Sequence, residues 1–179
     1  MWWRSFVLMA AMLGELVGAS AGEPGSFGYP VPQEPNQVFF LQRSMNSNTI
    51  VYAANMDAAG KLSRREPIKV YWRRYNDNGE KKNLSFAEDR FAFGVVAKPM
   101  PGEANAFRII IRPYPDRSAV LRVVNGRPRL EAKLRGQEVQ LISAFLHLEG
   151  EGSMPKVAKV DVWGRSWATG ELVSDSFSP

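Results

Sequence analysis

The chain has 179 residues, 23 Lys and Arg against 18 Asp and Glu for a formal net charge of +5, one His and no Cys. That is about one domain's length, enough to bury a real core, and the lack of Cys excludes disulfides and lipid attachment at cysteine. The basic pairs Arg64-Arg65, Arg73-Arg74 and Lys81-Lys82 are scattered and read as solvated surface, which argues against a nucleic-acid binder and leaves an anionic partner such as a lipid head group or acidic glycan.

Residues 1–21 have the layout of a secretory signal peptide: Met1-Trp2-Trp3-Arg4, then an apolar run from Phe6 to Leu13, then Ala19-Ser20-Ala21 before Gly22. A membrane anchor needs about 20 predominantly apolar residues. Here Glu15 interrupts the run, and Pro-rich sequence follows. No Arg-Arg pair precedes the apolar stretch, so the expected route is general secretion and the expected compartment periplasmic or extracellular. The leader carries one basic and one acidic residue, Arg4 and Glu15, so the mature chain keeps its basic excess and has no stable membrane anchor.

Residues 22–36 contain Pro24, Pro30, Pro32 and Pro35, which favours an extended lead-in over a helix or sheet interior. From there to the C-terminus, short runs rich in Val, Ile, Phe, Tyr and Trp recur between turn signals. This spacing predicts one β domain over 37–179, an all-β antiparallel meander sandwich or partly closed barrel. The expected strands cover 38–43, 49–54, 68–75, 93–98, 107–111, 140–148, 157–163 and a last one near 171–176, and after a turn at Pro113-Tyr114-Pro115-Asp116 the residues Ala119, Leu121 and Val123 resume the apolar face. Ser85-Phe86-Ala87-Glu88 is a capping box and predicts a short helix over 86–92, with Gly94 where the chain leaves it.

One hairpin can be registered from sequence. Asn125-Gly126 suits a two-residue type I′ turn, which sets Val123 opposite Pro128, Leu121 opposite Leu130 and Ala119 opposite Ala132. A second two-residue turn at Arg135-Gly136 sets Lys133 opposite Glu138, Ala132 opposite Val139 and Leu130 opposite Leu141.

Catalytic groups are few. A zinc site on a single His and no Cys falls outside the usual ligand sets, and no Gly-x-Ser-x-Gly elbow accompanies His147. The segment Asn55-x-Asp57-x-x-Gly60 supplies too few oxygens for a calcium loop and reads as a polar turn. No catalytic, metal-binding or cofactor-binding set is therefore assigned. His147 lies on a strand with apolar groups on both faces, which suits a hydrogen-bonded structural histidine. A catalytic role would need a carboxylate beside it, and Glu149 and Asp161 are the candidates.

The candidate binding surface is a polar platform. Asn48 and Tyr52 share one strand face, Tyr71 and Arg73 another, and if the two strands are neighbours the Tyr rings could stack on a ligand while Arg73 fixes an anionic group. An ordinary solvated sheet face is the competing reading.

The run Phe39-Phe40-Leu41-Gln42-Arg43-Ser44-Met45-Asn46-Ser47-Asn48-Thr49-Ile50-Val51-Tyr52, then Asn55, then Pro67-Ile68-Lys69-Val70-Tyr71-Trp72, resembles a bacterial exported family known as domain of unknown function 4833. Phe91-Ala92-Phe93-Gly94-Val95 and the stretch from Pro155-Lys156-Val157 to Thr169-Gly170 are similar to its later segments. The resemblance implies an exported bacterial domain and transfers no activity, ligand or catalytic residue. The expected function is a non-enzymatic binding or structural module of the cell envelope, meeting an anionic or amphipathic component. The alternative is an envelope-polymer hydrolase using His147 or a carboxylate pair.

Overall fold

The computed structural model describes residues 27–150 and 155–179. The expected signal peptide and residues 22–26 of the lead-in lie outside them. Eleven strands follow in order: β1 (Gln37–Arg43), β2 (Asn46–Ala54), β3 (Ile68–Arg74), β4 (Glu80–Asn83), β5 (Val95–Pro99), β6 (Ala106–Ile111), β7 (Ser118–Val124), β8 (Arg127–Leu134), β9 (Gln137–Glu149), β10 (Lys156–Ser166) and β11 (Leu172–Phe177). They form one sheet, ordered β4-β3-β2-β1-β9-β8-β7-β6-β5, with β10 also on β9 and β11 on β10. The sheet curls into an open half-barrel.

Local chemistry fixes much of this. Asn125 and Gly126 take φ of 52° and 75°, and Arg135 and Gly136 take 49° and 78°, the left-handed values that a two-residue hairpin needs. Val123 therefore meets Pro128 and Leu121 meets Leu130, while Ala132 meets Val139 and Lys133 meets Glu138. Between β4 and β5, α1 (Phe86–Glu88) runs on as a π-helical turn over Asp89–Phe93. The Ser85 hydroxyl accepts from the Glu88 N–H, and the Glu88 carboxylate accepts from the Ser85 N–H. Gly94 ends the turn because a Cβ there would lie 2.0 Å from the Asp89 carbonyl oxygen.

Two features depart from the sequence expectation. β4 replaces part of an expected loop; its Glu-Lys-Lys-Asn sequence is exposed throughout and lacks apolar alternation, as suits a charged edge strand. The sheet is also not wholly antiparallel, since β1 runs parallel to β9 through Phe40↔Ser143 to Arg43↔Leu146. Alternation reveals which face a residue takes but not the direction of a partner 100 residues away.

β9 organises the molecule. One of its edges carries β10 along most of its length, while the other is shared between β8, at Gln137 to Gln140, and β1, at Ser143 to Leu146. Two wings therefore diverge from one strand. At the changeover the register slips, so that Trp163 pairs Ser143 but Gly164 pairs Leu141, leaving Ile142 as a bulged residue. A one-residue bulge inverts side-chain parity. Leu141 before it and Ala144 and Leu146 after it consequently all belong to the interior.

That interior is the core: Phe39, Leu41, Ile50, Tyr52, Trp72, Leu121, Leu130, Leu146 and Val160 are all buried within one cluster. The lead-in crosses the opposite face. Pro32 is fully buried, the Pro30 carbonyl accepts from Gln42 at 2.9 Å, and the Phe27 ring stacks on Phe145.

Candidate functional site

The open half-barrel holds a half-open cavity of about 760 Å³, lined from β1, from β6 to β8 and from β9 to β11. Phe39 and Leu41 of β1, Ile109 and Ile111 of β6, and Val160 and Val162 of β10 contribute to its apolar lining. Space remains because Ala119, Ala132 and Ala144 also line it, each supplying a methyl group where a larger residue would fill the interior.

Aromatic and charged groups complete the lining. Tyr114 and Phe177 pack edge to face at 5.7 Å, and the Arg117 guanidinium lies 3.5 Å from the Phe177 ring centroid. Burial pushes the Tyr114 phenol up from its ordinary value, so it stays protonated. Lys133 pairs with Glu138 at 3.2 Å and Arg122 with Glu131 at 3.0 Å. Arg117 lines the cavity and, among the described residues, forms no ion pair. Chemically the cavity can take an apolar body, and Arg117 and Asp116 are the charged groups of its lining that no salt bridge engages among the described residues.

His147 sits on the lead-in face. Its Nε2 lies 2.6 Å from Asp161 Oδ2, while Asp161 Oδ1 accepts from Lys159 Nζ at 2.8 Å and from the Ser176 hydroxyl at 2.5 Å. The Asp161 side chain is only 3% exposed, and burial alone would raise its pKa. The bonds from Lys159, Ser176 and His147 outweigh this and hold the carboxyl below its usual range, so His147 Nε2 must carry the shared proton. Of the two carboxylates considered beside His147, Asp161 is the one at hydrogen-bond distance. Neither His147 nor Asp161 lines the cavity.

The four residues of the expected platform do not form one surface. β2 and β3 are neighbours, but Thr49 pairs with Arg73 and Val51 with Tyr71, so Tyr71 and Arg73 share the lead-in face with Thr49 and Val51. Asn48 and Tyr52 point the other way. Tyr52 is 1% exposed in the core and donates to the Phe93 carbonyl at 2.9 Å, while burial pushes its phenol pKa up. Tyr71 and Arg73 instead hold the lead-in: Glu34 accepts from the Tyr71 hydroxyl at 3.3 Å and pairs with Arg73 at 2.5 Å. Burial, then Glu34, pushes the Tyr71 phenol up to about 12. Asn48 alone lines a pocket, a smaller polar one beside Arg43 and Trp72.

Sequence reasoning missed Tyr114, Arg117 and Phe177. Pro113-Tyr114-Pro115-Asp116 reads as a turn, and a turn hides which cavity its side chains border. The signal within reach was the recurrence of Ala at inward positions 119, 132 and 144.

Among the described residues, no helix is long and apolar enough to cross a membrane, and no three of His, Asp and Glu are grouped to hold a metal ion. No curated protein and no solved structure matches the chain. A family model does match, over residues 39–175, which spans every strand but the first residues of β1 and the last of β11. The chain accordingly belongs to the family described as Domain of unknown function (DUF4833).

Proposed function

We propose that the protein is an exported, non-enzymatic binding module of the bacterial cell envelope, and that the half-barrel takes the apolar part of an amphipathic envelope component. The carrying observation is the cavity of about 760 Å³ with its apolar wall. That volume lies within the roughly 300–1,000 Å³ of small-molecule sites, and an apolar wall with few polar groups is their usual make-up. Arg117, in the lining with its guanidinium over the Phe177 ring, is the group that would meet an anionic end on the ligand, with Asp116 of the same lining offsetting its charge. Export rests on the leader-like residues 1–21 and periplasmic or extracellular residence on the general secretory layout.

The rival reading, an envelope-polymer hydrolase, draws on the 2.6 Å contact between His147 and Asp161. Two observations weigh against it. Asp161 is already engaged by Lys159 and Ser176, as in a buried structural charge cluster, and the cavity that would admit a substrate is lined by neither member. The test is a thermal-shift screen against envelope lipid extracts, acidic glycans and peptidoglycan fragments. A ligand present at 100 times its Kd stabilises by about 2.7 kcal/mol. Stabilisation by the lipid fraction that survives His147→Ala is the expected result. No stabilisation by lipid, with polymer cleavage that His147→Ala abolishes, would establish the hydrolase instead.

A further inference from the structure

The inward side of β1 ends in a second, polar site. The Arg43 guanidinium carbon lies 4.6 Å from the Trp72 ring centroid, stacked on its face. Trp72 is itself fixed, because its indole N–H donates to Glu88 Oε1 at 3.1 Å and Glu88 Oε2 accepts from the Ser85 N–H at 2.7 Å. Glu88 is thereby occupied at both oxygens. Burial opposes its charge, but the bonds from Ser85 and Trp72 outweigh that and hold its carboxyl below the usual range.

Among the described residues Arg43 has Glu88 as an opposing charge but no direct partner: its Nε is shielded from solvent without a hydrogen bond, and its guanidinium joins no ion pair. A shielded donor with no acceptor is costly, and in a guanidinium it is a donor fork awaiting a planar anion. The surrounding pocket measures about 390 Å³ and is lined also by Asn48, Arg74, Lys82 and Asn83. Arg74 is paired with Asp77, so Arg43 and Lys82 face the single carboxylate of Glu88, an excess of one positive charge. Asn48 Oδ1 accepts from the Asn76 N–H at 3.0 Å, which leaves the amide donors of Asn48 for a ligand.

We propose that this pocket binds a small polar anion, its carboxylate or phosphate group taken by Arg43 with Lys82 as second cation and its hydroxyls by Asn48 and Asn83. Stacking on Trp72 holds the fork in one orientation, so little freedom is lost when the anion arrives. The volume, near the lower end for ligand sites, suits a single sugar acid or sugar phosphate. The site shares no lining residue with the apolar cavity and stands whether or not an amphiphile binds there.

The test follows the Trp72 indole N–H by heteronuclear NMR while the full mature chain is titrated, at constant ionic strength, with glucuronate, inorganic phosphate or glucose. A saturable shift with glucuronate alone assigns a carboxylate, with phosphate alone a phosphate, and either supports the site. Glucose is expected to shift nothing. Arg43→Gln is expected to weaken anion binding at least tenfold, and Lys82→Ala, on an exposed edge strand, several-fold without loss of fold. The proposal is overturned if neither anion saturates, if glucose matches them, or if Lys82→Ala binds as the wild type does.

Discussion

The bulge in β9 makes Gly164 the position where one methyl group should matter most. A Cβ there would lie 2.6 Å from Val139 Cγ2 and 2.9 Å from both Val139 Cβ and the Gln140 carbonyl oxygen. Carbon atoms pack best at about 3.5–4.0 Å, so the new methyl group intrudes by roughly 1 Å on a fully buried side chain and on backbone. Gly164 is not among the left-handed glycines, so Ala would otherwise gain about 0.4–1 kcal/mol from a less free unfolded chain. Overpacking costs about 1–3 kcal/mol and wins, giving a net loss of order 1–2 kcal/mol for Gly164→Ala. Val139→Ala should itself cost about 1–3 kcal/mol, yet remove the shortest of the three contacts. In urea denaturation the double variant should therefore be more stable than the sum of the single losses by about 0.5–2 kcal/mol, a coupling that contact pairs commonly show. Additive losses, or a Gly164→Ala variant as stable as the wild type, would refute the close approach of β9 and β10 at the branch.

Asp161→Asn should cost about 1–3 kcal/mol at neutral pH, because a buried acceptor of three donors becomes neutral. The folded carboxyl lies below its unfolded value of about 4, so its stabilisation is present above that pH and is lost as pH falls through the folded value. The gap between variant and wild type should accordingly close on acidification, and a gap that widens there would contradict the sign. Tyr52→Phe should cost about 1–2 kcal/mol by chemical denaturation, since the Phe93 carbonyl loses its buried donor. Gly94→Ala should lower the melting temperature by several degrees through the collision with the Asp89 carbonyl; an unchanged melting curve would remove the π-turn explanation. Glu34→Ala should loosen the lead-in from Tyr71 and Arg73, seen as faster proteolysis near residue 30 with the sheet intact.

The legible parts of the fold were those written locally. Asn125-Gly126 and Arg135-Gly136 set the pairing of Leu121 with Leu130 and of Lys133 with Glu138, because a two-residue turn leaves one register. Ser85 and Glu88 marked the helix start for the same reason, a reciprocal pair three residues apart. What escaped depends on distant partners. The parallel seam between β1 and β9 joins residues 40–43 to 143–146, and no local pattern carries that pairing. Apolar residues on both faces of 141–148 are what a bulge at Ile142 and a covered outer face produce together, and alternation alone does not place the bulge. The platform failed through parity: each pair of residues does share a face, but the β2–β3 register sends the two pairs to opposite sides. His147 needed a carboxylate, and Asp161 was one of two named without any means of choosing between them.

The most direct measurement on the central claim is a fluorescence titration with a dansyl-labelled fatty acid, using the wild type, Ala144→Phe and Ala132→Phe. Both alanines line the cavity, and a phenyl ring at either position occupies space that the ligand's apolar part needs. Expected is a saturable one-to-one signal in the wild type that falls at least tenfold in both variants while their far-ultraviolet circular dichroism stays that of a folded β protein. A wild type that gives no saturable signal, or filled variants that bind as tightly as it does, would contradict the account.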